Sequence, residues 1–500
     1  MPAENLLYKM NMNSYFAPGR RATWLRASAL SLAVLSLAAC KFGPDFKGAA
    51  MAVPVEFRGA STSPESIADL PWQSVLKNGE LQSLLRETYA NNRDFRAMMA
   101  NVDSARRYIT VANAPLFPWV SYGGTLSKGA NYTNGNPIQT GGTTTTPGMV
   151  KGAASWELDL WGKTRRATEA AEADYLASEF GQRALMLSLL RQVADGYLQL
   201  LQLDEELAIM RESVVSYTDS LNLFKAQMEG GIGDKLQVAS AEAALAASKA
   251  QVPALESQIA SLENTLSVLA GRTPGRISRS GSLREMAGAG RVPAGLPAAL
   301  LAHRPDVLQS EQQLRSANAK IGVAIANYFP SISLTGAGGF VSSDLTTATR
   351  KKSGWGIGAN LSGPLFQAGS LRAQELIARN DFLAAKNDYE QTVLAALADV
   401  STILISRAKL SEIIAEQEKA VSAYRTAVTT SMDRYRNGLS NYYEVLTAQQ
   451  NLFPAQTLLA QYRYQYAATL PTLYAALGGG WNTSNREMIA GASETPAARP

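Results

Sequence analysis

The chain has 500 residues, 46% of them apolar and only 18% charged, with a formal net charge of +5, an isoelectric point near 9.0 and a mean hydropathy of −0.10, too polar for a bundle of membrane helices. A single histidine, His303, and a single cysteine, Cys40, exclude a His/Cys zinc site, a disulfide framework, a CxxC redox pair and a Cys–His nucleophile couple. The basic excess is local: Lys9, Arg20, Arg21 and Arg26 against Glu4 place +3 of the +5 ahead of Cys40, so the remainder carries no basic stripe for nucleic acid.

In chain order, the first element is a leader. Arg20, Arg21 and Arg26 precede the apolar run Ala27–Ala39, which closes Leu37-Ala38-Ala39-Cys40. A charged start, a short apolar stretch and small residues at a cut site make an export signal, and a run of roughly 13 residues is too short to cross a bilayer as a helix. The ending resembles a bacterial lipobox, so residues 1–39 are expected to be removed and Cys40 to carry covalent lipid. Lys41, rather than Asp, follows the cysteine, which resembles the pattern of outer-membrane sorting. No later stretch reaches 18 uninterrupted apolar residues, so any membrane crossing must use strands closed into a barrel.

The rest of the chain states one pattern twice. Ser104-Ala105 through Phe117-Pro118 aligns with Ser316-Ala317 through Phe329-Pro330, an offset of 212. Gly231-Ile232-Gly233 aligns with Gly438-Leu439-Ser440 and Leu269-Ala270-Gly271 with Ala476-Leu477-Gly478, both at an offset of 207. The slip of five falls most easily in the Gly/Thr-rich stretch Asn134–Gly148. Two copies of about 200 residues argue for duplication and a pseudo-twofold protomer.

Copy one opens with helical spacing over Leu81–Ala114. From Trp119 to Trp161 the period switches to two: Val150, Gly152, Ala154, Trp156, Leu158 and Leu160 alternate with Lys151, Ala153, Ser155, Glu157 and Asp159. Val120, Tyr122, Gly124 and Leu126 begin a partner strand, and Asn131–Gly148 reads as the loop between them. A long helix Lys163–Glu229, a break at Gly230-Gly231-Ile232-Gly233 and a helix Asp234–Ala270 complete the copy. Copy two repeats this as a helix Ala298–Asn327, strands Ser331–Phe340 and Trp355–Phe366, a helix Leu371–Asn437 and a return helix Asn441–Leu477.

Lengths decide the architecture. At 1.5 Å per residue, a helix of about 65 residues is roughly 100 Å long, which suits a coiled coil, a tunnel wall or a spacer rather than one globular core. Strands of about ten residues cross a bilayer core when tilted. Four strands per chain cannot close a barrel, and an open edge in lipid leaves backbone groups unsatisfied, so several copies must share one barrel; three would give twelve strands. The expected fold class is an α+β membrane protein: two tandem repeats, four barrel strands and long helical hairpins. Its parts are 1–39 as signal peptide; 40–297 as N-terminal linker, first repeat (strands about 119–161) and equatorial linker; 298–481 as second repeat (strands about 331–366); and 482–500 as a flexible tail.

Several motifs then resemble one family. Cys40-Lys41-Phe42-Gly43-Pro44-Asp45 resembles the mature start of outer-membrane efflux lipoproteins, and Leu300-Leu301-Ala302-His303-Arg304-Pro305-Asp306-Val307 resembles their Leu-Leu-x-x-Arg-Pro-Asp-Ile signature. Phe329-Pro330-Ser331-Ile332-Ser333-Leu334-Thr335-Gly336, Tyr435-Arg436-Asn437-Gly438-Leu439-Ser440-Asn441-Tyr442 and Leu477-Gly478-Gly479-Gly480-Trp481 complete the set. The chain is similar over 40–481 to the TolC-like outer-membrane factors, in the branch of the NodT, OprM and CusC lipoproteins. The resemblance implies a homotrimer with a 12-strand outer-membrane barrel and a 12-helix periplasmic tunnel. It also implies a belt built from the chain ends and residues 271–297, a periplasmic adaptor and an inner-membrane pump of the resistance-nodulation-division class as partners, and surrounding outer-membrane lipid. The function expected is a passive, periplasmically gated exit duct. The alternative is a trimeric lipoprotein spacer or adhesin without a lumen, against which the wet strand faces at Lys151, Ser155, Glu157 and Asp159 speak.

The same resemblance places adaptor-contacting tips at Gly231, Ile232 and Gly233 and at Gly438, Leu439 and Ser440. It places the periplasmic gate at Glu444, Thr447, Gln237, Tyr435 and Tyr443. Relatives often carry a second acid where Thr447 stands, an Asp at Gln237 and a base at Ser440, so one carboxylate ring and no interprotomer ion pair are expected, with closure resting on packing near Tyr435, Tyr442 and Tyr443. His303 has no catalytic companions, and Asp306 is expected to cap or pair locally. Gly354-x-Gly356-x-Gly358 lies in a strand with no helix opening behind it, so a dinucleotide loop fails its context test. No catalytic constellation, metal site, resident cofactor or Walker A motif is found, so energy must come from a partner.

Overall fold

The computed structural model describes residues 41–48, 51–59, 65–126, 129–130, 132–133, 136–137, 144–145, 148–287, 292–295, 297–342 and 352–479. Cys40 and the leader before it, residues 288–291 of the linker, Gly480-Trp481 and the tail 482–500 lie outside the described residues. By contacts the chain forms two units, each drawing on both copies. One gathers Tyr108–Ala171 and Ser316–Phe382 with the described residues up to Phe46; the other gathers Lys47–Arg107, Glu172–Arg315 and the described residues from Leu383 on.

The main helices are α1 (Gly79–Asn91), α2 (Arg93–Asn113), α3 (Lys163–Glu229), α4 (Lys235–Leu269), α5 (Pro305–Ala326), α6 (Ser370–Arg436) and α7 (Tyr442–Ala476). The strands are β1 (Trp119–Leu126), β2 (Gly148–Leu158), β3 (Ser331–Ser342) and β4 (Lys352–Ser362). Helices α3 and α6 each run 67 residues and α4 and α7 each 35, so the repeat is visible in element lengths alone. All four fall within a residue of their expected bounds, α3 and α6 because no proline interrupts them, α4 and α7 although Pro253, Pro454 and Pro471 lie inside them. Asp234 and Asn441, 207 residues apart, cap the two return helices: their side chains accept from the backbone N–H of Leu236 and Glu444.

Two expectations are corrected. The opening helix of each copy is broken: copy one splits at Asn92 into α1 and α2, and copy two splits at Arg304 into the short helix Pro297–His303 and α5. The breaks are repeat equivalents, 212 residues apart, and each is stapled to the end of its return helix. Asn92 Nδ2 donates to Leu269 O (2.9 Å) and Arg304 Nη1 to Ala476 O (3.2 Å), and those carbonyls are themselves 207 apart. Asn92 also caps α2 by accepting from Phe95 N–H (2.8 Å). Arg304 uses its remaining donors on both oxygens of Asp306, on Asp399 and on Ala396 O, and Asp306 accepts from Val307 N–H, the local pairing expected of it. Pro305 forces the second break by excluding helical geometry at the residue before it; the first break has only Asn92 to announce it. Secondly, the segment Asn131–Gly148 is not wholly loop: Gly129–Ala130 pairs with Thr144–Thr145 and Tyr132–Thr133 with Asn136–Pro137, so the first hairpin continues past β1 and β2.

The strands form one antiparallel sheet in the order β1-β2-β3-β4. Its register sorts the side chains. Val120, Ala154, Gly336 and Ile357 share one row, and Tyr122, Gly152, Gly338 and Trp355 the next. Trp156, Leu334 and Ala359 share a third row. Since alternate residues point to opposite faces, this face is mainly apolar, with Ser353 in the row of Gly124, Val150 and Phe340, and Ser342 opposite Gly148. The other carries Ser121, Thr125, Lys151, Ser155, Glu157, Ser333, Thr335, Gly354, Gly356, Gly358 and Asn360, with Trp119, Met149 and Val341 as its large apolar members. A slip of one residue on any strand would exchange its faces. Tyr122, Trp355 and Ile357 on the apolar face are 93%, 83% and 83% exposed in the single chain.

Candidate gate and anchor site

The two hairpin tips are built alike. At the end of α3, Gly231 adopts φ +75°, its N–H bonds Met228 O (3.1 Å) and the N–H of Ile232 bonds Gln227 O (3.0 Å). At the end of α6, Gly438 adopts φ +71°, its N–H bonds Tyr435 O (3.0 Å) and the N–H of Leu439 bonds Arg434 O (2.8 Å). Both are Schellman caps, which need a left-handed residue that glycine supplies without strain. In such caps the next, apolar residue usually folds back onto the helix. Here Ile232 and Leu439 are 82% and 70% exposed, so neither is a buried staple. The tips differ one residue on: a Cβ at Gly233 would lie 2.4 Å from Met228 N, whereas copy two carries Ser440, whose hydroxyl is buried without a partner among the described residues.

Behind the tips a cluster of rings joins the two hairpins. Phe224 of α3 meets Tyr442 at 3.9 Å and Tyr435 at 5.9 Å, centroid to centroid, and Tyr435 lies 6.0 Å from Tyr442, all edge-on. Tyr435 Oη donates to Gln227 Oε1 at 2.5 Å, a direct tie between the hairpins. Phe224, Tyr442 and Val445 are buried, with Tyr217 and Phe453 beside them. Burial, with the neighbouring Tyr442, pushes the Tyr217 hydroxyl up to about 12, and burial likewise raises Tyr442, so these phenols stay protonated at any physiological pH.

Of the expected gate residues, Tyr435 belongs to this cluster. Tyr443 is 74% exposed and outside it. Glu444 and its repeat equivalent Gln237 occupy the first turns of α7 and α4, and Thr447 lies one turn beyond, half-buried. The nearest base to Glu444 is Arg434 of its own chain, at 3.9 Å with both side chains about half exposed, a weak pair in water. Phe224, Gln227 and Arg434 were not foreseen. The repeat could have led to them, since Phe224 and Gln227 precede Gly231 as Ser431 and Arg434 precede Gly438.

The second expected site, around Cys40, is described from Lys41 onward. Residues 41–46 are inlaid at the foot of the strand sheet. The Phe42 ring stacks on Phe329 (4.5 Å) and Phe329 on Trp161 (4.9 Å), while Trp161 Nε1 donates to Pro330 O (2.6 Å). The Arg166 side chain, 1% exposed, donates to Phe42 O (3.0 Å), Gly43 O (2.9 Å), Asp45 Oδ1 (2.8 Å) and Glu169 Oε2 (2.9 Å). Lys41 Nζ pairs with the same Glu169 oxygen (2.5 Å). Burial acts to raise the Glu169 carboxyl, but the hydrogen bonds from Lys41 and Arg166 outweigh it and hold the group below its ordinary range. Gly43 passes so close to α5 that a Cβ on it would lie 2.5 Å from Gly322 Cα.

The other motifs are structural. His303 Nδ1 lies 2.7 Å from Ala299 O at the helix break, and the Gly354–Gly358 run lies within β4 on the polar face. Among the described residues no helix is long and apolar enough to cross a membrane, and no group of three His, Cys, Asp or Glu could hold a metal.

The sequence profile described as outer membrane efflux protein matches residues 84–272 and 296–479, one match per repeat. The antibiotic efflux pump outer membrane protein ArpC of Pseudomonas putida is 33% identical over 483 residues, covering 94% of this chain and 99% of its own. The cation efflux system protein CusC of Escherichia coli K12 is 29% identical over 457 residues, covering 89% and 97%. Among solved structures, CusC superposes with a TM-score of 0.79 at 28% identity, over 88% of this chain and all of that one. The open state of the Neisseria gonorrhoeae MtrE outer membrane channel gives 0.79 at 27%, over 88% and 98%.

Proposed function

The chain belongs to the outer membrane efflux protein family, and from that premise we propose that it is the outer-membrane exit channel of a tripartite efflux system, assembled from three copies. The observation that carries this is the strand register. Each copy contributes four strands with one mainly apolar face and one of mainly small and polar residues, and leaves β1 and β4 with an unpaired edge among the described residues. An unpaired edge cannot face lipid, and joining β4 of one copy to β1 of the next removes every edge. The apolar face then meets lipid and the other lines a water-filled lumen, which a solid spacer would not need. The helical hairpins of three copies supply a periplasmic tunnel of twelve helices.

The tips carry the control. Ile232 and Leu439 are the groups offered to a periplasmic adaptor, and Tyr435 with Gln227 holds the second hairpin against the first until the adaptor engages. Glu444 sets the charge of the mouth. With no nucleotide-binding loop in the sequence, transport is driven by an inner-membrane pump, which the resemblance assigns to the resistance-nodulation-division class, and the duct performs no chemistry. Cys40 carries lipid and anchors the N-terminus. The test is reconstitution of the purified protein: a detergent-resistant trimer that conducts ions in planar bilayers is expected. A folded, membrane-embedded monomer, or a trimer that never conducts, would overturn the proposal.

A further inference from the structure

The apolar face of the sheet is not uniformly filled. Near its lower end, close to Pro118, a cavity of about 560 Å³ opens on that face. Its walls are Trp156, Leu334 and Ile357, and its floor is formed where Ala154, Gly336 and Ala359 leave the backbone thinly covered. The Trp156 wall is fixed, because its indole Nε1 donates to Leu116 O (2.9 Å). On the reading that Cys40 is lipidated, we propose that this trench is the seat of the protein's own acyl chains, which run from Cys40 up the outside of the barrel strands.

The geometry of the inlaid N-terminus selects this occupant. Phe42 N–H bonds Trp161 O and its ring stacks on Phe329, so the chain is tied just past the end of β2 and just before the start of β3. Cys40 lies two residues earlier, no more than about 7 Å of extended chain away. From Ser331, the first residue of β3, to Leu334 and Gly336 is three to five residues, roughly 10–17 Å. An acyl chain spans half of the hydrocarbon core, about 15 Å. The lipid therefore starts at the foot of the trench and has the length to fill it. Arg166 and Glu169 hold the tether in place, so the attached chains stay at the foot of the trench, whereas free phospholipid, whose tails have the same chemistry, exchanges past it. Filling the trench shields backbone that small side chains leave bare to lipid.

Photocrosslinking tests this. Cells are fed palmitate bearing a diazirine, the outer-membrane protein is irradiated, and crosslinked peptides are mapped by mass spectrometry. The expected result is crosslinking concentrated on the peptides holding Leu334–Gly336 and Ile357–Ala359. Gly336→Leu should lower that yield roughly tenfold by occupying the floor. A Cβ at Gly336 meets only Ile357 Cγ2 at 3.8 Å and Gly356 O at 4.0 Å, so there is room for the variant to fold. Ala359→Leu, on the neighbouring strand, should do the same while acyl mass and trimer remain. A Cys40→Ser protein exported by a non-lipoprotein leader separates the sources. Loss of the crosslinks supports the proposal, and their persistence shows that phospholipid fills the trench and overturns it. Crosslinks spread evenly over an acylated protein overturn the trench but leave lipidation standing. Absence of acyl mass at Cys40 overturns the lipidation reading itself.

Discussion

Replacing Tyr435 by Phe removes one group from the proposed gate: the hydroxyl that donates to Gln227 Oε1 at 2.5 Å. The ring stays, and with it the edge-on contacts to Phe224 and Tyr442. Both partners are half-buried, so water can replace part of what is lost, and a bond of this kind contributes about 0.5–1.5 kcal/mol. In a trimer the loss occurs three times if each protomer must part its hairpins to open. That gives about 1.5–4.5 kcal/mol against the closed state, a shift of roughly tenfold to a thousandfold in the open-to-closed ratio. Tyr435→Ala should go further, because each ring contact adds about 0.5–1.5 kcal/mol beyond its buried area. The assay is leak conductance in planar bilayers, paired with entry of a bulky antibiotic into intact cells. Tyr443→Phe is the control: its side chain is exposed and its loss of a hydroxyl should change neither reading. A Tyr435→Phe trimer with the leak of the parent would refute the tie as a restraint on opening. So would a Tyr443→Phe leak as large as that of Tyr435→Phe.

Four further outcomes are expected. Glu444→Gln should reduce the cation preference of the open channel, read from reversal potentials across a salt gradient, and Arg434→Ala should raise it by unmasking the carboxylate 3.9 Å away; opposite shifts would place the mouth elsewhere. Cys40→Ser should abolish acyl labelling and alter processing, and intact protein without acyl mass at residue 40 would remove the anchor. Glu169 is held below its ordinary value of 4.5, so its contribution is present above that value and is lost as pH falls through the lowered one; residues 41–46 should become protease-sensitive in acid and not in alkali. Arg304→Ala should destabilise the protein by about 3–5 kcal/mol, since it strips Asp306, Asp399 and two carbonyls of a nearly buried partner, while Asn92→Ala at the equivalent break should cost about 1–2 kcal/mol; equal shifts in thermal unfolding would contradict the difference in bonding.

What could be read from the sequence was whatever depends on period and length. A run of 67 residues without proline has one outcome, and the alternation from Val150 to Leu158 fixes which strand face is apolar before any partner is known. The break at Asn92 was hidden because asparagine within a helical pattern signals little by itself, while Pro305 announces its twin. The N-terminal inlay was hidden for another reason. Phe42-Gly43-Pro44-Asp45 could be recognised as a motif, but its purchase on Arg166 spans more than 120 residues, and nothing local in either segment implies the other. The same holds at the gate, where Gln227 and Tyr435 are 208 residues apart.

Duplication explains why the backbone of the two tips agrees while their chemistry does not. The features common to both copies are those that folding requires: a left-handed glycine at 231 and 438, an apolar residue after each, and a capping Asp234 or Asn441 opening the return helix. Those are set within one hairpin and have no reason to drift apart. Among the positions that differ are those assigned to the proposed gate. Gln227 accepts while Arg434, its equivalent, reaches toward Glu444; Gln237 is neutral where Glu444 is charged; Gly233 is pressed against Met228 where Ser440 has room for a side chain. The tie joins positions that are not equivalent, Gln227 of copy one and Tyr435 of copy two; their equivalents are Arg434 and Met228, so the chain makes it once. If the gate lies at these tips as proposed, such differences let one chain carry both the tie and a charged mouth, with the charge on the second copy at Glu444.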